Sequence, residues 1–299
     1  MSLSSAHVHE RRAAVIARMA RLLVIALVVG VGISQLILTA GDWHLRDMGA
    51  YWEAAERLRA GEPLYPALAD TEASEVYRYA PWFAWAWVPL TYLPREVVGV
   101  LWSMLLLLAS AAALAPFVHM RAWLPIAFFL PILVGISAIG NVQPLIVAAL
   151  VLGVERRSGP LWIALAASLK AVPILLVATY LGRRHWVRAG ATVLLTTLLV
   201  APMLLYDLGS YPTGADAAGV LIQWPVGYAV ALGTAIIITL RLARTRYAWL
   251  ASASTVALAV PRFFVYDVTL LMTSVAGLLG RDPGSRSRGG TDGGASHLG

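Results

Sequence analysis

The stretch Met19–Ala40 reads MARLLVIALVVGVGISQLILTA, and it decides the class of this protein. Its only charged residue is Arg21, close to the start. About 20 apolar residues are needed to cross the hydrocarbon core of a bilayer, so the stretch predicts a transmembrane helix. A secretory signal peptide has a shorter apolar region followed by a cleavage site of small residues, and no clear site of that kind follows here. We therefore interpret the stretch as a retained membrane helix.

The rest of the chain is equally apolar. Hydrophobic residues make up 59% of its 299 residues and charged residues only 13%, and the mean hydropathy is +0.73. A soluble domain carries about a quarter charged residues, and so few charges cannot cover a surface that faces water. The composition predicts an all-α, polytopic membrane protein. The absence of cysteine excludes disulfides and thiolate chemistry.

The basic residues predict the orientation in the membrane. The net charge of +7 comes from arginines at the ends of apolar runs, which is typical of cytoplasmic loops and argues against nucleic-acid binding. These arginines lie within 11–21, 156–157, 183–188 and 241–246. Residues 1–18 and the Gly- and Ser-rich tail 281–299, predicted to be disordered, should therefore be cytoplasmic. Segment 41–96 holds nine acidic and five basic residues and is the predicted first outer loop.

The apolar runs predict about eight to ten helices within residues 19–280. Two runs, Leu161–Leu181 and Tyr247–Gly280, have arginines at both ends, so both ends of each should lie on the same side. We predict that each is a hairpin of two short helices, with tips at Lys170–Pro173 and Pro261–Phe263. Proline breaks the helical hydrogen-bond ladder, and irregular backbone within a membrane is tolerated where it lines a cavity.

The first outer loop contains a predicted amphipathic helix, Asp47–Ala60. Its apolar residues fall on one stripe, and Gly61 and Pro63 are stop signals. The stripe consists of Met48, Tyr51, Trp52, Ala55 and Leu58. We place Asp47 at or near the N-cap, where a carboxylate accepts backbone N–H groups. An interfacial helix with an aspartate cap explains this pattern without any catalytic role.

An aromatic segment, VYRYAPWFAWAWVPLTYLP, follows at Val76–Pro94. The aromatic belt at membrane interfaces explains its tryptophans. That belt does not explain Arg78, which stands between Tyr77 and Tyr79 ahead of Pro81.

These motifs resemble the first outer loop of glycosyltransferase family 87, whose members are polytopic GT-C enzymes that use polyprenyl-phosphate sugars and include mycobacterial polyprenol-phosphate-mannose mannosyltransferases. The resemblance covers residues 19–280 in order. Three patterns carry it in the loop: Asp-x3-Tyr-x-x-Ala-Ala from Asp47, Leu-x-x-Gly-x-x-Leu-Tyr from Leu58 and Tyr-x-Tyr-x-Pro from Tyr77. GNVQPLIVAAL (140–150) and LWIALAASLKAVPILLVATYLGRRHW (161–186) are similar to later family segments.

The resemblance implies a GT-C-like bundle that transfers a sugar, mannose in the first instance, to a lipid or cell-envelope acceptor at the outer face. An acceptor hydroxyl is a poor nucleophile, so a carboxylate must accept its proton as the bond forms. Asp47 lies just beyond the first span and is the predicted general base. Asp42 is the competitor, but it adjoins the helix end and lacks a tyrosine four residues later.

The leaving phosphate needs cations, and the candidates are Arg78, Lys170 and Arg262. Lys170 is the only lysine beside 22 arginines and lies within an apolar segment. A charge there costs about 2.5–3.5 kcal/mol on insertion scales, which makes it a functional hypothesis. Snorkelling of the side chain to the interface explains it equally well. Asp267 is interpreted either as a helix cap or as a partner of Arg262.

Uncharged hydrogen-bonding groups that suit a sugar are predicted at Tyr51, Tyr77, Tyr79, Asn141 and Gln143, although capping of a helix turn explains the last two as well. The chain has no Asp-x-Asp metal signature, and we predict no metal and no cofactor.

Two other function classes stay open. A multispan transporter or flippase of a lipid or small solute would also use broken helices and an intramembrane lysine. Its expected pseudo-symmetric halves have no counterpart here beyond the two hairpins. A membrane scaffold without activity gives no reason for the pairing of Asp47 with Tyr51, or for Arg78 between two tyrosines.

Overall fold

The computed structural model describes residues 45–66, 76–208, 223–261 and 263–279, together with isolated positions between 15 and 30. Within these residues the chain is helical and contains no strand, which confirms the predicted all-α class. The α-helices are α1 (Arg46–Ala60), α2 (Pro81–Trp87), α3 (Arg95–His119), α4 (Trp123–Ala138), α5 (Gln143–Gly153), α6 (Gly159–Leu169), α7 (Val177–Gly182), α8 (Trp186–Val200), α9 (Pro225–Leu242), α10 (Ala248–Leu258) and α11 (Ala276–Leu279). Four 3₁₀ segments lie at Val88–Tyr92, Val172–Leu176, Ala201–Leu205 and Val265–Val275. The predicted first span Met19–Ala40, apart from the isolated positions, and the predicted terminal segments 1–18 and 281–299 fall outside this description.

Three helices of the described chain are long and apolar enough to cross a membrane, and these are Arg95–His119, Trp186–Leu205 and Pro225–Leu242. The last two expose most of their apolar side chains on the surface of the bundle. Such a surface suits lipid, because large contiguous apolar patches are rare on soluble proteins. The structure thus supports a membrane protein. The count of eight to ten spans stays a prediction.

Both runs predicted to be hairpins are interrupted where the sequence indicates, whereas the return of each to the same side of a membrane stays a prediction. Helix α6 ends before Lys170, whose backbone is extended (φ −148°, ψ 108°), and the chain continues through the 3₁₀ segment Val172–Leu176 into α7. Helix α10 likewise ends before Pro261 and is followed by the 3₁₀ segment Val265–Val275. Helices α6 and α10 have 11 residues each. Such a helix is about 16 Å long, roughly half the hydrocarbon core, so the breaks lie at depth if the bundle spans a bilayer.

Helix α5 occupies the centre of the bundle. It packs against α3, α4 and α6 and against the 3₁₀ segment Val265–Val275 of the second hairpin. The break of α6 and the second hairpin therefore lie next to the start of α5, where the sequence places Asn141 and Gln143.

The predicted amphipathic helix is present as α1, and Gly61 ends it with a left-handed backbone (φ 73°). Its apolar stripe, however, is covered by protein. Tyr51 and Ala55 are completely buried in a core that also contains Trp87 and Trp102. Helix α1 is thus a packed part of the bundle, whereas the sequence pattern alone was compatible with a helix lying on the lipid surface.

Candidate functional site

Asp47 lies in the first turn of α1 and not at its N-cap. The N-cap is Leu45, which has a left-handed backbone (φ 47°) and makes no capping hydrogen bond through its side chain. The Asp47 amide instead donates to the carbonyl of Ile139 (3.0 Å), in the turn between α4 and α5. The carboxylate accepts a hydrogen bond from the side-chain amide of Asn141. Asp47 thus lies near the N-cap, as predicted, but the donor to its carboxylate is Asn141 in the turn before α5 and not a backbone N–H of the helix end.

Gly140 brings that turn against α1. Its backbone is left-handed (φ 78°), and a Cβ atom there would lie 3.0 Å from Cβ and 3.1 Å from the amide nitrogen of Met48. Only glycine fits both conditions without strain. The indole nitrogen of Trp102 donates to the Gly140 carbonyl (2.8 Å) and fixes the turn from the side of α3.

The environment of Asp47 makes its carboxyl a weaker acid. Burial raises the pKa of Asp47, because desolvation disfavours the charged form. The hydrogen bond from Asn141 and the charges of Arg78 and Arg46 act in the opposite direction but do not cancel the effect of burial. A carboxylate whose pKa lies closer to neutral is better suited to accept a proton at physiological pH.

A chain of buried polar groups leads from Asp47 into the bundle. The Asn141 side-chain oxygen accepts a hydrogen bond from the Gln143 backbone amide (2.8 Å). The Gln143 side chain is 1% exposed; its amide nitrogen donates to the Thr269 hydroxyl (3.2 Å), and its oxygen accepts a long hydrogen bond from the Lys170 ammonium (3.5 Å). Both amides, predicted as sugar ligands or turn caps, thus connect Asp47 to Lys170.

Lys170 forms an ion pair with Asp267 across the two hairpins. Asp267 is completely buried, and its second oxygen accepts the backbone N–H of Phe264 (2.9 Å), so it also caps the 3₁₀ segment Val265–Val275. Capping was one of the two predicted roles of Asp267. The ion-pair partner is Lys170, whereas Arg262, the partner considered from the sequence, lies outside the described residues. Lys170 also lies over the Tyr266 ring, 5.0 Å from its centroid.

The three predicted tyrosines differ in their surroundings. The buried Tyr51 hydroxyl accepts the Val142 N–H (3.2 Å) and shares a hydrogen bond with the Tyr79 hydroxyl (3.1 Å), so it fastens α1 to the start of α5. Burial raises the pKa of Tyr51 and keeps it protonated. Tyr77 is also buried, and its hydroxyl donates to the Ala80 carbonyl (2.8 Å). Tyr79 keeps part of its surface exposed.

Of the predicted phosphate-binding cations, Arg78 and Lys170 lie at this cluster, Arg78 being close enough for its charge to lower the pKa of Asp47. The described residues contain no group of three or more His, Asp or Glu side chains that could hold a metal ion. Sequence reasoning missed Thr269 and Trp102. A threonine and a tryptophan inside apolar helices give no signal that distinguishes a site neighbour from an ordinary lipid-facing or core residue.

An apolar groove of about 700 Å³ begins beside this cluster. It follows one face of α5 from Val142, the neighbour of Asn141, to Gly153. Trp82 and Trp102 line the end near Asn141, and Arg156 lies at the opposite end. Eleven residues of helix give the groove a length of about 16 Å. Its walls can accept a hydrocarbon chain.

Comparison of the chain with protein-family models, with curated proteins and with solved structures gives no match. The resemblance to glycosyltransferase family 87 accordingly rests on the sequence motifs themselves.

Proposed function

We propose that this protein is a membrane glycosyltransferase that moves a sugar, with mannose as the first candidate, from a polyprenyl phosphate to a lipid or cell-envelope acceptor. One observation carries the proposal. A buried carboxyl with a raised pKa, Asp47, is bound by Asn141, whose chain neighbour Val142 lines an apolar groove along α5. A general base beside a groove of hydrocarbon character suits a substrate whose reactive headgroup is attached to a long lipid.

Asp47 would accept the proton of the acceptor hydroxyl while that oxygen bonds to the sugar carbon and the bond from that carbon to the phosphate oxygen breaks. The polyprenyl phosphate then leaves with the electron pair and needs a cation nearby. Arg78 is the first candidate, because its charge already acts on Asp47. Lys170 is balanced by Asp267, so it would bind phosphate only by sharing or exchanging that partner. Arg262 stays the third candidate.

The proposal includes a GT-C-like bundle of eight to ten transmembrane helices, with Asp47 at the outer face and both termini in the cytoplasm. The distribution of charge along α5 supports this orientation. Asn141 and Asp47 meet at its start, whereas Arg156, Arg183 and Arg188 gather around its end. Arginine-rich ends of this kind belong to the cytoplasmic side.

The test is sugar transfer by membranes that contain the full-length protein. Labelled polyprenyl-phosphate mannose and arabinose are supplied, and label is followed into glycolipid and wall fractions. We expect transfer by the wild type and a loss of at least about a hundredfold in Asp47→Asn, which is typical of a general base. Glu56→Gln, which removes a charge from the same helix, should keep the activity. Equal transfer by wild type and Asp47→Asn would remove Asp47 from the mechanism.

A transporter or flippase of a lipid or small solute is the second candidate, and the Lys170–Asp267 pair between two broken hairpins favours it. Reconstituted vesicles distinguish the two. Movement of a labelled polyprenyl-phosphate sugar across the bilayer, retained by Asp47→Asn and lost in Lys170→Met, with no product formed, would favour the transporter.

A further inference from the structure

The opposite end of the bundle contains a polar cavity of about 410 Å³. It is formed where the turn between α9 and α10 approaches the end of α7 and the start of α8. Its charged lining consists of Glu155, Arg183, Arg244 and Arg246, with His185 beside them. Three arginines and one carboxylate give this cavity a formal charge of +2. Such a charge favours the binding of an anion.

The inner wall of the cavity is held together by hydrogen bonds around Glu155 and Arg183. Glu155 accepts hydrogen bonds from the Arg183 guanidinium (2.8 Å) and from the indole of Trp249. Arg183 also donates to the Ala243 carbonyl (2.8 Å) and lies over the Trp249 ring. Glu155 is therefore neutralised by its own ion pair.

The outer wall is open. Arg244 and Arg246 are both exposed on the turn that follows α9. Neither guanidinium is engaged by a carboxylate within the described residues. Arg246 donates one hydrogen bond to the Tyr247 hydroxyl and lies over that ring, 4.7 Å from its centroid, and a guanidinium has further N–H donors for a ligand that enters the cavity from outside.

Two exposed aromatic residues are chain neighbours of residues that line this cavity. Tyr247, next to Arg246, and Trp186, next to His185, are 45% and 64% exposed. Tyrosine and tryptophan of this kind collect at the boundary between hydrocarbon and water. Under the proposed orientation this boundary belongs to the cytoplasmic leaflet, whose anionic lipids attract basic residues.

We propose that this cavity binds the phosphate headgroup of an anionic phospholipid of the cytoplasmic leaflet. The Arg183–Glu155 pair forms its floor, and Arg244 and Arg246 bind the phosphate. The ligand is held at the far end of α5 from Asp47, so this inference does not depend on sugar transfer.

The experiment uses the full-length protein in a neutral detergent. The unfolding temperature is followed while short-chain phosphatidylglycerol, phosphatidylcholine or inorganic phosphate is added, and each saturable rise gives an apparent Kd. Phosphatidylglycerol should raise the unfolding temperature, and the other two should not. An arginine near an anionic headgroup contributes about fivefold to affinity, so Arg244→Gln/Arg246→Gln should weaken binding about 25-fold.

The matched control is Arg157→Gln/Arg241→Gln, which removes two exposed arginines outside the cavity lining and should change the apparent Kd less than about threefold. Equal weakening by both double variants would overturn the proposal, since attraction would then depend on net charge alone. An unchanged Kd in the cavity variant, or equal binding of inorganic phosphate, would overturn it as well. The unfolding temperature without added lipid verifies that each variant is folded.

Discussion

The ion pair between Lys170 and Asp267 gives the sharpest test of the structure. Removal of the ammonium in Lys170→Met leaves a completely buried carboxylate whose one remaining hydrogen bond from the described residues is that of the Phe264 amide. Loss of one partner of a buried pair costs about 3–5 kcal/mol. The Lys170 side chain is 24% exposed, so water can partly replace it, and we expect a value near about 3 kcal/mol.

The double variant Lys170→Met/Asp267→Leu removes both charges. It therefore distinguishes the contribution of the ion pair from the cost of a buried carboxylate without its partner. Replacement of a whole buried pair by apolar groups is often close to neutral. The free energy of unfolding of the double variant should therefore lie nearer to the wild type than that of Lys170→Met does. Loss of the Phe264 cap adds about 1 kcal/mol.

The wild type, Lys170→Met, Asp267→Leu and the double variant form a double-mutant cycle. The free energy of unfolding of each is measured by reversible unfolding in mixed micelles of a mild detergent and SDS. The reasoning requires a coupling free energy of at least about 2 kcal/mol between the two sites. Additive effects of the two substitutions, or a loss below about 1 kcal/mol in Lys170→Met, would refute it. Such a result would mean that the Lys170 ammonium reaches water and that the hydrogen bond from the Phe264 amide is the main interaction of Asp267.

Three further predictions concern the contact between α1 and α5. Gly140→Ala should destabilise the protein by about 1–2 kcal/mol, because an L-residue is strained at φ 78° and the new Cβ approaches Met48; thermal unfolding measures the loss, and an unchanged midpoint would contradict it. Tyr51→Phe should cost about 1–3 kcal/mol by leaving the buried Val142 N–H without its acceptor, a loss visible as faster hydrogen exchange at that amide. The folded chain holds the Asp47 proton more tightly than the unfolded chain, since burial raises this pKa. The wild type should therefore lose stability relative to Asp47→Asn as pH rises from 3.8 through the raised pKa, and unfolding midpoints that run parallel over this range would be inconsistent with it.

Local signals made the helices and their breaks predictable. Proline at 173 and 261, with arginines at both ends of each run, indicated the two hairpins, and α4 and α5 meet at the predicted Gly140–Asn141 turn. The apolar stripe of α1 could also be predicted from the spacing of its residues. Its environment could not, because an apolar face looks the same whether it packs on lipid or on Trp102.

The polar contacts were beyond the reach of local reasoning. Asp47 and Asn141 are 94 residues apart, and Lys170 and Asp267 are 97 apart. Sequence proximity favoured an N-cap for Asp47 and Arg262 as the partner of Asp267. In the fold, the turn that contains Gly140 contacts Asp47 twice: the Asn141 side chain donates to its carboxylate, and the Asp47 amide donates to the Ile139 carbonyl.

The polar groups around α5 are consistent with the proposed function, because stability gives little reason for them. Stability alone would favour apolar residues at Lys170 and Asp267, since a buried ion pair rarely stabilises more than well-packed hydrophobic side chains do. Helix α5 is nevertheless fastened by polar groups at both ends, through Asn141 at its start and through the Val154 carbonyl, which accepts the Tyr180 hydroxyl (2.5 Å), at its end. Between these points one face of the helix forms the wall of the groove. If the proposed function is right, a helix fastened at both ends would hold Asn141 and its partner Asp47 in a constant position relative to the groove, and sugar transfer from a lipid-linked donor needs such constant positioning of the base.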